Sequence, residues 1–230
     1  MKNPAAAGGG RWVDVPPERL VSWIVTFIQR HGEGSVSHDE VGVTVTFTAA
    51  DGAAAECHPP FPPLPAPAGG AWPGDPVSLA GLIAAHAAAD RTVGVFLVRL
   101  GGFAAGVFAG SPPRLVSSKV GSRLVHGRSA AGGTSQHRFA RRRENQATAA
   151  VAAAADTAVK VLIPYAERLD AVVLGGDRKA ITGARADPRL RPVMKHAVDR
   201  FLTVPDPRLA VLRDTPRLFL AVRIHLTGPA

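Results

Sequence analysis

The first ten residues, MKNPAAAGGG, show no apolar periodicity and are expected to form a disordered tail. The first periodic segment is PPERLVSWIVTFIQRHG. Leu20, Ile24, Phe27 and Ile28 recur at helical spacing, with Pro16 and Pro17 at the start and Gly32 at the end. This predicts an amphipathic helix. In EVGVTVTFTAADG the period changes to two, Val41, Val43, Val45 and Phe47 alternating with small or polar residues, as in a half-buried strand. From Cys57 to Pro76 proline and glycine crowd the chain. That composition predicts a stiff, extended connector and the domain boundary.

Beyond it, PVSLAGLIAAHAAAD predicts a short helix. RTVGVFLVRLGGFAAGVFAG holds two apolar runs joined by Gly101 and Gly102, the pattern of a β-hairpin. RLVSSKVGSRLVHG supplies a third strand with Leu115, Ser117, Lys119, Gly121, Arg123 and Val125 on one face, so a three-stranded antiparallel meander is expected. A long helix from Gln136 to Ile163 follows from the spacing of Ala140, Ala147, Val151, Ala154, Ala158 and Val161, ended or kinked by Pro164. LDAVVLGGD reads as a buried parallel strand entering a glycine turn. RPVMKHAVDRFL reads as a helix and PRLFLAVRIHLTG as a last strand. The order predicts an α/β fold with a mixed sheet: a ribonuclease-H-like domain over 77–230, and a small N-terminal α/β segment with its connector over 11–76.

Composition narrows the chemistry. A chain of 230 residues with 46% hydrophobic content can bury a core unaided. The single cysteine, Cys57, excludes an internal disulfide and any multi-cysteine zinc site. With His58 beside it, it is a nucleophile only if the segment brings a base to an exposed thiol. No signal-peptide pattern and no unbroken apolar run of membrane-spanning length is seen, so the cytoplasm is the expected location. The formal charge of +9 points to a polyanionic partner, nucleic acid or an anionic membrane surface. An aromatic content of 6% argues against a binder built on base stacking.

The charge is concentrated around HGRSAAGGTSQHRFARRRENQA, residues 126–147. Gly132 and Gly133 allow positive φ and close backbone approach. Thr134 or Ser135 can cap the helix that follows. Gln136 then stands at the helix start, where unpaired N–H groups favour negative charge. Its amide donates and accepts but does not titrate, so it can position water and stabilise charge without removing a proton. Arg138, Arg141 and Arg142 form a basic helix face, Arg143 broadens it, and Lys119, Arg123 and Arg128 flank the glycines from the other side. Guanidinium groups bind phosphates through paired donors. A solvated helix start after a plain glycine linker is the simpler alternative.

The stretch GGTSQHRFARRRENQA resembles the glycine-glutamine loop and basic helix of the Vms-like release factors, specifically their actinobacterial branch, within the superfamily of archaeal and eukaryotic class-one release factors. The resemblance covers mainly residues 90–226 and is motif-specific only around Gly132–Ala147. It implies a domain like the catalytic middle domain of class-one release factors, in which a Gly-Gly-Gln motif enters the peptidyl-transferase centre and helps water attack the peptidyl-tRNA ester. Here the looser Gly-x-x-Gln form is Gly133, Thr134, Ser135, Gln136. The resemblance implies a peptidyl-tRNA hydrolase with no cofactor and no metal, whose partners are the large ribosomal subunit, ribosomal RNA and peptidyl-tRNA, and not a membrane.

Other readings stay open on the residues alone. A nuclease would need metal-binding carboxylates, for which Asp90, Asp156, Asp170 and Asp177 are the candidates. His126 and His137 flank the loop and could assist proton transfer. A non-catalytic RNA-binding protein would use the arginines and not Gln136. Gly175–Arg178 fits a phosphate site at a helix start as well as it fits a tight strand-to-helix turn.

Overall fold

The computed structural model describes residues 9–39, 42–67, 70–99, 101–123 and 135–229, with only the backbone of 135–145. The chain forms two compact units, one from Met1–Ala89 with Arg217–Ala230, the other from Asp90–Pro216. The expected boundary at 76/77 therefore differs from the observed one. The helix Pro76–Ala87 belongs to the first unit, and the last strand of the chain returns to it.

The first unit is a five-stranded antiparallel sheet of β1 (Arg11–Val15), β2 (Ser35–His38), β3 (Val45–Thr48), β4 (Ala54–His58) and β10 (Val222–Thr227), in the order β1-β10-β4-β3-β2. Two helices, α1 (Pro17–His31) and α2 (Pro76–Ala87), share its core. α1 forms where the apolar period predicts, burying Leu20, Ile24 and Phe27. Pro17 stands in its first turn, where a missing N–H costs nothing. Asp75 caps α2, its carboxylate accepting from Ser78 N at 2.8 Å.

Two expectations fail in this unit. Of the strand expected over Val41–Phe47, Val41 lies outside the described residues, Val43 is in a turn and β3 starts at Val45: Asp39 Oδ1 accepts from Val43 N at 2.7 Å, and Gly42 has φ +67. Cys57 does not open a connector but sits in β4, with Ala55 and Cys57 on the core face and Glu56 and His58 on the other. Proline begins only at Pro59. Burial pushes the Cys57 thiol far up, which removes it as a nucleophile at neutral pH.

The second unit carries a mixed sheet of β5 (Val93–Arg99), β6 (Gly102–Ala109), β7 (Arg114–Ser122), β8 (Ala171–Gly176) and β9 (Ala197–Leu202), in the order β7-β6-β5-β8-β9. β5, β6 and β7 form the expected antiparallel meander, and β8 and β9 run parallel to β5. This is the ribonuclease-H-like order. The hairpin turn is shifted by one residue, since Arg99 pairs with Gly102 and Gly101 takes φ +85 in the turn.

The meander is closed by α3 (Ser135–Leu162), whose Ala154, Ala155, Ala158, Val161 and Leu162 pack with Phe96, Val98, Phe103 and Ala105. Ala147, expected on this face, is exposed. The segment Gln146–Arg168 is long and apolar enough to cross a membrane by length and composition. Its alanines instead supply the close helix-to-sheet contact of the core. Pro164 ends the α-helix as expected, and a 3₁₀ turn, Ile163–Arg168, leads into β8.

Two short helices follow β8: α4 (Arg178–Arg185) and α5 (Arg191–Met194). The helix expected over RPVMKHAVDRFL stops at Met194, and the rest becomes β9. Val172 N donates to His196 O at 2.7 Å and starts that parallel ladder. A short apolar run fits either element, and here the free edge of β8 decides. α6 (Leu209–Arg213) covers the opposite sheet face, with Leu212 over Gly106.

Candidate nucleic-acid interface

β7 carries one of the cations singled out in the sequence, Lys119, and a second, Arg123, directly follows its last residue. Its register shifts between Val107, which faces Ser117, and Phe108, which faces Leu115. Val116 is the extra residue of this bulge, and Leu115 moves to the α6 face, against Gly106. Ser117, Lys119 and Gly121 remain together, opposite Val107, Ala105 and Phe103, on the α3 face. Lys119 is exposed there. A Cβ on Gly121 would be driven into the Phe103 ring, so glycine is required beneath that aromatic.

The end of β7 fixes where the glycine-glutamine segment starts. Ser122 pairs with Gly102, and Arg123 N donates to Gly101 O at 2.8 Å, so the exposed Arg123 stands beside the β5–β6 turn. The parallel strands β5 and β8 end at the same end of the sheet, at Arg99 and Gly176. Carboxyl ends of parallel strands are where open α/β sheets bind ligands. Gly132, Gly133, Thr134 and Arg128 lie outside the described residues, as does His126.

α3 begins at Ser135, so Gln136 is in its first turn and the position before the helix is Thr134. Leu162, at the other end of α3, packs at Gly94 near the start of β5. The helix therefore runs from the end of the sheet where β7 exits toward the end where β5 starts. Its 28 residues extend about 42 Å, against about 20 Å for the six residues of β8. Among the positions of α3 whose side chains are described, Ala150 is the first buried one, and Ala147, Thr148 and Ala149 are all exposed. The first turns of the helix hold Gln136, Arg138, Arg141, Arg142 and Arg143. Of those side chains and that of His137 the structure describes nothing.

α4 starts at the same end of the sheet. Gly175 is buried in β8, Gly176 takes φ +102, and Asp177 N donates to Val98 O at 2.7 Å. Asp177 Oδ1 accepts from Ala180 N at 2.8 Å and caps α4. An anion arriving here would meet that carboxylate, which favours the turn reading of Gly175–Arg178. Arg178 and Lys179 are exposed in the first turn, with the Arg178 guanidinium 4.3 Å from the centre of the Phe201 ring. Arg99, which no pattern in its apolar run singles out, also ends here, its Nη1 donating to Val204 O at 2.6 Å.

The four carboxylates considered for metal do not converge. Asp170 and Asp177 flank opposite ends of β8. Asp170 accepts from Thr92 N at 2.7 Å, and Asp156 pairs with Arg189 at 2.7 Å. Arg189 also grips Asp187, whose carboxyl is held down to about 2 by these hydrogen bonds. Among the described residues no group of three or more His, Cys, Asp or Glu side chains is placed to hold a metal.

Charge divides unevenly between the units. Residues 90–216 hold 21 of the 27 Lys and Arg against 10 of the 18 Asp and Glu, a formal +11; the remaining 6 and 8 leave the first unit at −2. The net positive charge of the chain is thus a property of the second unit.

No curated protein matches the sequence. Among solved structures, the archaeal translation termination factor aRF1 aligns at 14% identity and TM-score 0.42, over 91% of this chain and 66% of its own length. The Vms1 mitochondrial localization core aligns at 10% and 0.40, over 82% and 77%. Pelota from Archaeoglobus fulgidus aligns at 13% and 0.28, over 96% and 68%. Likenesses this distant add nothing to what the sequence match provides. The family model described as Actinobacteria/chloroflexi VLRF1 release factor matches residues 91–225. That span is more than half of the chain and contains the meander, the glycine-glutamine segment, α3 and the β8–α4 turn, so the chain belongs to the VLRF1 release-factor family of actinobacteria and chloroflexi.

Proposed function

We propose that the chain hydrolyses peptidyl-tRNA on stalled or split large ribosomal subunits, releasing the nascent peptide to rescue the subunit. The observation that carries this reading is the release-factor family match across residues 91–225, which contains the Gly133–Gln136 motif. The family sets the broader role, release or rescue at the ribosome. The hydrolytic chemistry and the tRNA substrate are the finer part of the proposal.

In the proposed reaction water adds to the ester carbonyl carbon, the tetrahedral oxyanion collapses, and the bond to the terminal ribose oxygen breaks as that oxygen takes a proton. Gln136, with Gly132, Gly133, Thr134 and Ser135 shaping the loop, orients the water and donates its amide N–H toward developing charge. Oriented donors and proximity each supply several kcal/mol without a titrating side chain. No cofactor is needed, and the work is cytoplasmic. Lys119, Arg123, Arg128, Arg138, Arg141, Arg142 and Arg143 hold RNA phosphate, which fixes register and orientation. The +11 charge of the second unit supports that role. The same charge also supports a non-catalytic RNA-binding protein, the second reading.

Replacing Arg141, Arg142 and Arg143 together by alanine is expected to weaken binding to purified large subunits about tenfold or more near 0.1 M salt. The slope of log affinity against log salt should become shallower by about two to three. Fluorescence anisotropy over a salt series measures both, and an unchanged slope removes these residues from the RNA contact. At saturating protein the variant should still release peptide from peptidyl-tRNA on those subunits. The non-catalytic reading predicts that neither protein does.

A further inference from the structure

The first unit has a groove that the release reaction does not use. It lies between α1 and β1, with a volume of about 1220 Å³. β1 stands at the edge of its sheet, with β10 as its sheet neighbour among the described residues. Arg11 points to the helix side of β1 with Val13 and Val15. On α1, Arg19, Ser22, Trp23, Thr26 and Arg30 follow at helical spacing and line the facing wall. The indole of Trp23 stacks on Phe27, with ring centres 5.8 Å apart and planes 7° from parallel, and is half-buried. Asp14 and Asp51 also line the groove, Asp51 paired with His31 at 2.8 Å.

The charge here runs against its surroundings. The first unit is formally −2, yet three of its five arginines, all exposed, line this one groove. A long nucleic acid confined to this unit would find a net negative formal charge beyond the three arginines. A short acidic segment would not. The fifteen residues of α1 span about 22 Å, enough for about seven residues of extended chain. An edge strand offers main-chain groups to such a chain, and flanking pockets select its side chains.

We infer that this groove binds an extended acidic peptide of a partner protein, laid along β1, with carboxylates on Arg11, Arg19 and Arg30 and an apolar side chain against Trp23. The interaction is separate from the release chemistry and does not depend on it.

The test uses the full chain and pools of fluorescein-labelled peptides about seven residues long, in which every second residue, on one face of the extended chain, is Glu or Asp except for one central Leu, Ile, Val or Phe, with Ser or Thr between. Control pools carry Lys in place of the acids, or N-methyl groups on the acidic backbone. The acidic pool should bind, and both controls should bind at least about tenfold more weakly. Arg19→Glu with Arg30→Glu, two exposed positions, should cost about tenfold or more of that affinity. Large-subunit binding and the thermal midpoint should be unchanged. Equal binding of the acidic and lysine pools overturns the proposal. So does acidic-pool binding that survives the double reversal, since the acids then sit on the basic second unit. Loss of RNA binding on the reversal would make the groove a nucleic-acid site instead.

Discussion

Gln136→Ala is expected to lower the single-turnover rate of peptide release by about 10²- to 10³-fold while leaving binding to the large subunit unchanged. The reason lies in what the side chain can do. An amide does not titrate, so its contribution is the placement of a donor and of a water, and both vanish with truncation. Binding is spared because the proposed phosphate contacts belong to the arginines further along α3, to Lys119 on β7 and to Arg123 after it. Gln136→Glu sharpens the point. It keeps size and reach but exchanges an N–H donor for negative charge beside a developing oxyanion, so it should be no faster than alanine. A Glu variant with near-normal release would mean that Gln136 only fills space. Release and binding are read on the same preparation, by peptide liberated after rapid mixing and by anisotropy.

The largest effect on stability is expected at Gly176. Its φ of +102 strains any other residue, and an added Cβ would be driven into the main-chain oxygen of Val98. That oxygen is also the acceptor of Asp177 N, so the clash falls on the hydrogen bond that ties the β8–α4 turn to β5. Gly176→Ala should destabilise the protein by about 3 kcal/mol or more, a fall in thermal midpoint on the order of 10 °C. If instead the glycine served mainly to let a phosphate approach, alanine would weaken RNA binding at nearly unchanged stability. Calorimetry with parallel binding measurements separates the two. A midpoint within about 2 °C of wild type would contradict the turn account.

What the sequence made legible follows from how local each signal is. α1 declares itself through period, prolines and a terminal glycine, all within seventeen residues. The meander is equally local, because a glycine pair separates its first two apolar runs. β4 was hidden because its five residues, Ala54–His58, start within the alanine run Ala53–Ala55 and run straight into the prolines from Pro59. β9 was hidden because Val198 and Phe201 satisfy helical and extended patterns alike, and only the edge of β8 chooses between them. The place of β10 was out of reach, since the pairing of Arg223 with His58 joins residues far apart in sequence and no local pattern encodes it. The glycine-glutamine segment was legible as a motif, and the division of charge was legible too: residues 77–230 hold 23 Lys and Arg against 10 Asp and Glu, a formal +13, and the return of β10 and α2 to the first unit changes this only to +11. The groove along α1, by contrast, was invisible. Arg19 and Arg30 read as ordinary solvent-facing positions of an amphipathic helix until Arg11 is placed across from them.

The most direct test of the hydrolytic reading is the chemical identity of the released product. Large subunits carrying a labelled peptidyl-tRNA are mixed with excess wild-type protein in a single turnover, and both products are resolved by mass. Hydrolysis of the ester predicts a peptide ending in a free carboxylate and a tRNA with its terminal adenosine intact. A peptide that keeps a nucleotide, with a correspondingly shortened tRNA, would show phosphodiester cleavage and contradict the account, as would tight binding with no release.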